Sequence, residues 1–307
     1  MKVGIIGAGN VGSATAFALI LRGIAREIIL IDSNEKKAIA EALDISHATT
    51  FAYASKIRAG KYEDLTCADV VIICAGANQK PGETRIALLE RNIEILKSVI
   101  SQIMQFAPET IILVASNPVD IMTYYTLKIS GLDKTKVFGS GTILDTSRFR
   151  TLLGEHLGVS SKSIHAHVLG EHGDSEVLIW SNADAGTIAL ETLGKELNKP
   201  FNIEIKMAID DNVRNAAYKI IEGKNATYYG IAGGLSRICQ AISTNENAIL
   251  TISSLHDEIE GVKNVCLSLP SIINKNGIEK VLYPNLSAEE HILLKASAEK
   301  LKDYMLM

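Results

Sequence analysis

Within its first 32 residues the chain passes through a short apolar run, a glycine-rich loop, a helical segment and a second apolar run that ends in an acid. Residues 3–6 lead into Gly7-Ala8-Gly9-Asn10-Val11-Gly12, residues 13–22 read as a helix closed by Gly23, and residues 28–31 run into Asp32. Few folds accommodate that order. Gly7 lets the chain turn out of a strand, Gly9 lets a pyrophosphate come close to the backbone, and Gly12 lets the helix pack tightly on the strand. The helix N-terminus adds partial positive charge. Asp32, twenty residues beyond Gly12, can accept hydrogen bonds from ribose hydroxyls. Taken alone, Asp32 also reads as an ordinary strand-end turn acid. Together the parts predict the first unit of a doubly wound (Rossmann) parallel sheet, with a dinucleotide site at Gly7, Gly9, Asn10, Val11, Gly12 and Asp32. A carboxylate at 32 repels a 2′-phosphate, which favours NAD over NADP.

Apolar runs at 70–75 and 111–115 extend the pattern, since continuous β-branched runs between helical segments mark strands buried on both faces. Beyond residue 141 the rhythm changes. Residues 142–158 read as a long helix, 164–169 as a strand and 203–222 as a helix. Residues 248–252 and 265–273 read as strands of a mainly antiparallel sheet with a turn at Asn276-Gly277, and 288–305 as an amphipathic helix. The expected fold is α/β, with a Rossmann domain over 1–141 and an α+β catalytic domain with mainly antiparallel strands over 142–307. No linker separates them, so a cleft between two closely packed domains is expected.

Composition narrows the class of partner. Hydrophobic residues are 47% and charged ones 21%, which excludes intrinsic disorder. Acids outnumber bases 35 to 31, so neither nucleic acid nor an anionic membrane is expected as a partner. No basic leader with an apolar core precedes the first strand, and no run reaches the roughly twenty apolar residues of a membrane helix. Cys67, Cys74, Cys239 and Cys266 are scattered and read as reduced thiols of a cytoplasmic protein.

The stretch Leu169-Gly170-Glu171-His172-Gly173-Asp174-Ser175 suits neither a packed strand nor a helix. Its glycines let a ligand approach His172, whose ordinary pKa near neutrality makes it a proton-transfer candidate; a glycine-rich surface turn is the plainer reading. Asp145 and Arg148 lie three apart on one helical face, as a simple ion pair would. At the carboxyl ends of a doubly wound sheet, that Asp could hold a histidine and that Arg could grip a carboxylate with two parallel hydrogen bonds. Residues 74–85 form a long polar loop with the character of a lid, and Asn117-Pro118 reads as a cis bond presenting Asn117. His165 and His167 share a strand face close to His172, but no Cys or carboxylate completes a ligand set, so no metal is expected.

Six ordered motifs now stand together: GAGNVG at 7–12, AGANQKPGETR at 75–85, SNPVD at 116–120, GSGTILDTSRFR at 139–150, GEHGD at 170–174 and NATYYGIA at 225–232. In this the chain resembles the lactate/malate dehydrogenase family, and within it the bacterial L-lactate dehydrogenases, over essentially its whole length. The resemblance implies that His172 is the acid/base, that Asp145 orients it, that Arg148 holds the substrate carboxylate and that Arg85 polarises the carbonyl. It implies substrate contacts at Gln79, Asn117 and Thr227, and completes the NAD site with Ala75, Gly76, Asn117 and Ile231. Malate-specific members carry an arginine where this chain has Gln79, so pyruvate/lactate is the expected substrate pair, with malate or broader 2-hydroxy acids as the alternative. The resemblance further implies a homotetramer and an allosteric site for fructose 1,6-bisphosphate at Arg150 and His165.

Overall fold

Apolar strands with both faces buried are stable only inside a sheet covered by helices on each side. The computed structural model describes residues 1–77 and 85–305 and shows how the chain builds that cover. It begins with β1 (Lys2–Ile6), α1 (Asn10–Leu21), β2 (Glu27–Ile31), α2 (Glu35–His47), β3 (Lys56–Ala59) and β4 (Val70–Ile73). Next come α3 (Arg85–Phe106), β5 (Ile111–Val114), α4 (Val119–Ser130) and β6 (Val137–Gly139). These strands pair in parallel in the order β3-β2-β1-β4-β5-β6, the doubly wound arrangement whose ligand crevice lies at the carboxyl ends of the strands. Val70, Val71, Ile72 and Ile73 of β4 are fully buried, as their uninterrupted β-branched run requires.

The second half continues with α5 (Ile143–Leu157), β7 (Ile164–Leu169), β8 (Val177–Ala185), β9 (Ile188–Ala189), α6 (Leu190–Glu196), α7 (Ile203–Lys224) and α8 (Tyr229–Ser243). It closes with β10 (Ala248–Ile259), β11 (Val262–Asn274), β12 (Gly277–Val281) and α9 (Ala288–Met305). β7, β8 and β9 form a separate antiparallel sheet. β10, β11 and β12 are antiparallel as expected, but β10 also pairs with β6 at Ser253 and Gly139, so the central sheet runs on to nine strands. The β10–β11 hairpin is longer than its apolar runs suggest and turns at Glu260-Gly261. The unread part of β10 carries the buried polar residues Ser253, Ser254 and His256, and the unread start of β11 carries the exposed Lys263 and Asn264. Among the described residues no helix is long and apolar enough to cross a membrane.

α5 carries Asp145 and Arg148 in its first two turns, between Thr142 and the left-handed Gly158 that ends it. β7 delivers the chain to Gly170, which bridges to Ser268 of β11 immediately before His172. The predicted acid/base segment is therefore held at the junction of the two sheets.

Candidate active site

Beyond the carboxyl ends of β1 and β4 lies a cleft of about 910 Å³. Its lining includes Gly7, Gly9, Asn10, Val11, Gly12, Asp32, Ala75 and Gly76, and also Thr227 from the segment before α8. Gly7 adopts φ +106°, a conformation that favours glycine, against the backbone of Cys74 and Ala75. A Cβ placed on Gly9 would meet nothing within 4 Å among the described residues, so this backbone lies open to a ligand there. Among the described residues no side chain caps the N-terminus of α1, which suits its first N–H groups to an anion. Asp32 accepts from Ala8 N at 2.7 Å through Oδ2 and from Asn34 N at 2.8 Å through Oδ1, tying the glycine loop to the end of β2. An open glycine backbone, an uncapped helix end and a fixed carboxylate fit a pyrophosphate and ribose.

Gly12 marks the tightest approach in this loop. A Cβ there would stand 1.9 Å from the Gly7 carbonyl oxygen, backbone that no rotamer change can move aside. Gly12→Ala is expected to lower stability by about 1–3 kcal/mol and to weaken dinucleotide binding. A urea unfolding midpoint equal to that of the parent protein would contradict this packing.

The charged centre is built around Asp145, which is 1% exposed. Its Oδ2 lies 2.5 Å from His172 Nδ1, and its Oδ1 accepts from Arg148 Nη1 at 2.8 Å. Burial by itself would raise the Asp145 carboxyl, but the His172 and Arg148 charges outweigh it and hold it below its ordinary value. Burial likewise disfavours imidazolium, yet Asp145, with help from Asp120 and Glu176, outweighs it and raises His172 to about 9. So raised, the imidazole favours its charged form at neutral pH, with Nδ1 engaged by Asp145 and Nε2 without a hydrogen-bond partner among the described residues. The Arg148 side chain is 15% exposed and gives one of its five N–H donors to Asp145, leaving others for a carboxylate.

Two further carboxyls support this centre. Asp120, at the start of α4, accepts from the His172 backbone N at 2.8 Å through Oδ2. Burial pushes it up to about 6. Glu176 is 4% exposed, its Oε1 has no partner among the described residues, and burial together with Asp145 pushes it upward. Asp120 sits inside the SNPVD motif and Glu176 four residues after His172, but neither position marks its role by local pattern.

The remaining expected residues are more dispersed. Asn117 is exposed at the carboxyl end of β5, before a cis peptide bond to Pro118. Ile231 is half-buried in the first turn of α8 and packs against the core beneath the sheet. Gln79 and the side chain of Arg85 lie outside the described residues. Arg150 donates to Ala166 O at 2.8 Å and lies 3.4 Å from His167 Nδ1, while His165 is exposed two residues earlier on β7. Among the described residues no three His, Cys, Asp or Glu side chains converge as a metal site.

A glycine-lined cleft that fits a dinucleotide, together with a histidine and an arginine held on one buried carboxylate, is an arrangement suited to an NAD-dependent oxidoreductase. Comparison with known proteins refines this. Residues 1–139 match the family model of the lactate/malate dehydrogenase NAD binding domain, and residues 142–306 match that of the alpha/beta C-terminal domain. The chain belongs to the lactate/malate dehydrogenase family. It is 52% identical to the L-lactate dehydrogenase of Thermus aquaticus, covering 98% of this chain and 97% of that one. It is 53% identical to the L-lactate dehydrogenase of Allorhizobium ampelinum, covering 100% and 99%. Among solved structures, a lactate dehydrogenase from a deep-sea metagenome library superposes with a TM-score of 0.97 at 42% identity, covering 100% and 99%. A minor L-lactate dehydrogenase of Enterococcus mundtii gives 0.95 at 38% identity, covering 99% and 97%.

Proposed function

We propose that the protein is a cytoplasmic L-lactate dehydrogenase that interconverts pyruvate and (S)-lactate with NADH and NAD as the hydride carriers. The observation that carries the reading is the single buried carboxylate of Asp145, shared between His172 Nδ1 and Arg148 Nη1. It fixes a proton-donor candidate and a carboxylate-receptor candidate on one anchor, side by side as a 2-oxo acid would need them. The family and the L-lactate dehydrogenases it resembles support the same substrate.

The residues act as follows. Arg148 pairs with the substrate carboxylate through the N–H groups Asp145 leaves free. His172 Nε2 donates its proton to the carbonyl oxygen as that oxygen gains negative charge, and Asp145 keeps the imidazole oriented. Arg85 polarises the same oxygen, with Asn117 as a further donor, and Thr227 lines the substrate pocket. Gly7, Gly9, Asn10, Val11, Gly12, Ala75 and Gly76 hold the dinucleotide, Asp32 takes its ribose in preference to a 2′-phosphate, and Ile231 packs against its nicotinamide. When bound, that cofactor supplies the hydride received by the carbonyl carbon. In the reverse direction His172 takes the proton from the lactate hydroxyl.

Gln79 is neutral, so a second substrate carboxylate would be enclosed without a partner, disfavouring oxaloacetate on the order of a thousandfold. NADH oxidation followed by absorbance with each substrate tests the reading. A large pyruvate preference is expected; a preference for oxaloacetate would overturn the substrate assignment.

The same proposal includes a homotetramer activated by fructose 1,6-bisphosphate at Arg150 and His165. Apolar side chains on α1 and α2 (Phe17, Leu21, Ile39 and Leu43) are exposed in the single chain, which suits a subunit contact. Arg150, Lys162, His167 and Arg237, though not His165, line a cavity of about 350 Å³ beside α5, whose positive charge suits a polyanion. Activation should therefore be lost in Arg150→Gln; full activation of that variant would place the effector elsewhere.

A further inference from the structure

His172 is carried by a segment without regular secondary structure, and such segments hold a reacting atom in place only when their backbone is tied from outside. Two of the ties have been described: Asp145 on the ring and Asp120 on the His172 backbone N. A third set comes from the C-terminal helix. Ser297 of α9 is fully buried, and its Oγ accepts from Glu171 N at 2.8 Å. The approach is close, since a Cβ on Gly170, at φ +84°, would lie 2.7 Å from that Oγ. Lys300, one turn further on, donates to Glu171 Oε2 at 2.8 Å. The same Oε2 accepts from Ser175 Oγ at 2.5 Å and Ser175 N at 3.1 Å, closing the segment on itself across His172. Ser175 Oγ also reaches Ser297 Oγ at 3.2 Å.

Glu171 is thus the staple of the loop. Burial disfavours its charge, but Lys300 and Ser175 outweigh that and keep the carboxyl below its ordinary value. Among the described residues Lys300 is the only cation paired with it. Asp145 and Asp120 hold His172 from α5 and α4, while Ser297 and Lys300 hold the preceding residue from α9. The segment is fixed from both sides.

We propose that the C-terminal helix positions the catalytic loop, with Ser297 and Lys300 acting as positioning residues that set His172 against Asp145 through Glu171. The proposal rests on His172 being the acid/base. Lys300 is partly exposed, so its replacement leaves the core intact. In the full-length protein, Lys300→Met is expected to lower kcat for pyruvate reduction on the order of ten- to a hundredfold, the penalty of a small misplacement of a reacting group. NADH affinity, read by fluorescence titration, should stay unchanged. The alkaline limb of kcat/KM should move to lower pH as the imidazole loosens from Asp145, and Lys300→Arg should restore both quantities. Ser297→Ala should move the same limb in the same direction. If Lys300→Met keeps its kcat and its pH limb, or loses only thermal stability, the proposal is overturned. His172→Asn separates the two readings. An inactive His172→Asn beside a fully active Lys300→Met removes only the positioning role, whereas an active His172→Asn removes the acid/base assignment itself.

Discussion

Replacing His172 with asparagine is expected to lower kcat for pyruvate reduction by about 10²–10⁴-fold, the range lost when a positioned general acid is removed. Asparagine keeps a polar side chain of similar reach but cannot deliver a proton from a charged nitrogen. The backbone N–H to Asp120 is unaffected by the change, so the loop keeps that anchor. His172 does not line the dinucleotide cleft, and NADH binding should therefore remain near the parental level by fluorescence. Loss of kcat together with loss of NADH binding would instead mean that the segment had collapsed.

The second large effect concerns Arg148. Replacement by methionine removes a buried charge pair with Asp145 and, with it, the proposed receptor for the substrate carboxylate, a loss of about 2–5 kcal/mol. The expected outcome is a rise of KM for pyruvate by about a hundredfold or more, with a smaller change in kcat. Lysine at this position should recover only part of the loss, because an ammonium cannot form two parallel hydrogen bonds to a carboxylate while also reaching Asp145. If Arg148 merely balances Asp145, the substitution will alter the pH dependence and leave KM for pyruvate unchanged. Steady-state kinetics of the two variants distinguishes these roles.

Much of this site is legible in the chain itself, because its main parts are local patterns. Gly7, Gly9 and Gly12 are spaced by the geometry of one turn, and Asp145 and Arg148 by one turn of helix. The strands β4, β5 and β7 and the helix α9 read directly from apolar runs or periodicity. What escapes such reading is set by contacts distant in sequence. Glu171 meets Ser297 across 126 residues and His172 meets Asp120 across 52, and neither pairing leaves a local trace. Helix α8 is hidden for a different reason. Gly230, Gly233 and Gly234 depress its helix propensity, yet Gly230 and Gly234 are what let it approach α5, where added Cβ atoms would come within 2.8 Å of Leu144 and 3.0 Å of Ile143. The full extent of β10 is masked by buried Ser253, Ser254 and His256, whose polarity reads as surface until the partner strand is known.

The pH dependence of kcat/KM for pyruvate reduction is the decisive measurement for the His172–Asp145 pair, because it reads the acid in the free enzyme. Asp145 raises His172 to about 9, so the protonated, reactive form persists below that pH and is lost as the pH rises through it. The expected profile stays level across neutrality and falls above about pH 9, with the limb moved to lower pH in Asp145→Asn. A parental profile that already falls near the ordinary histidine value, or one that Asp145→Asn leaves in place, would contradict the role given to this pair.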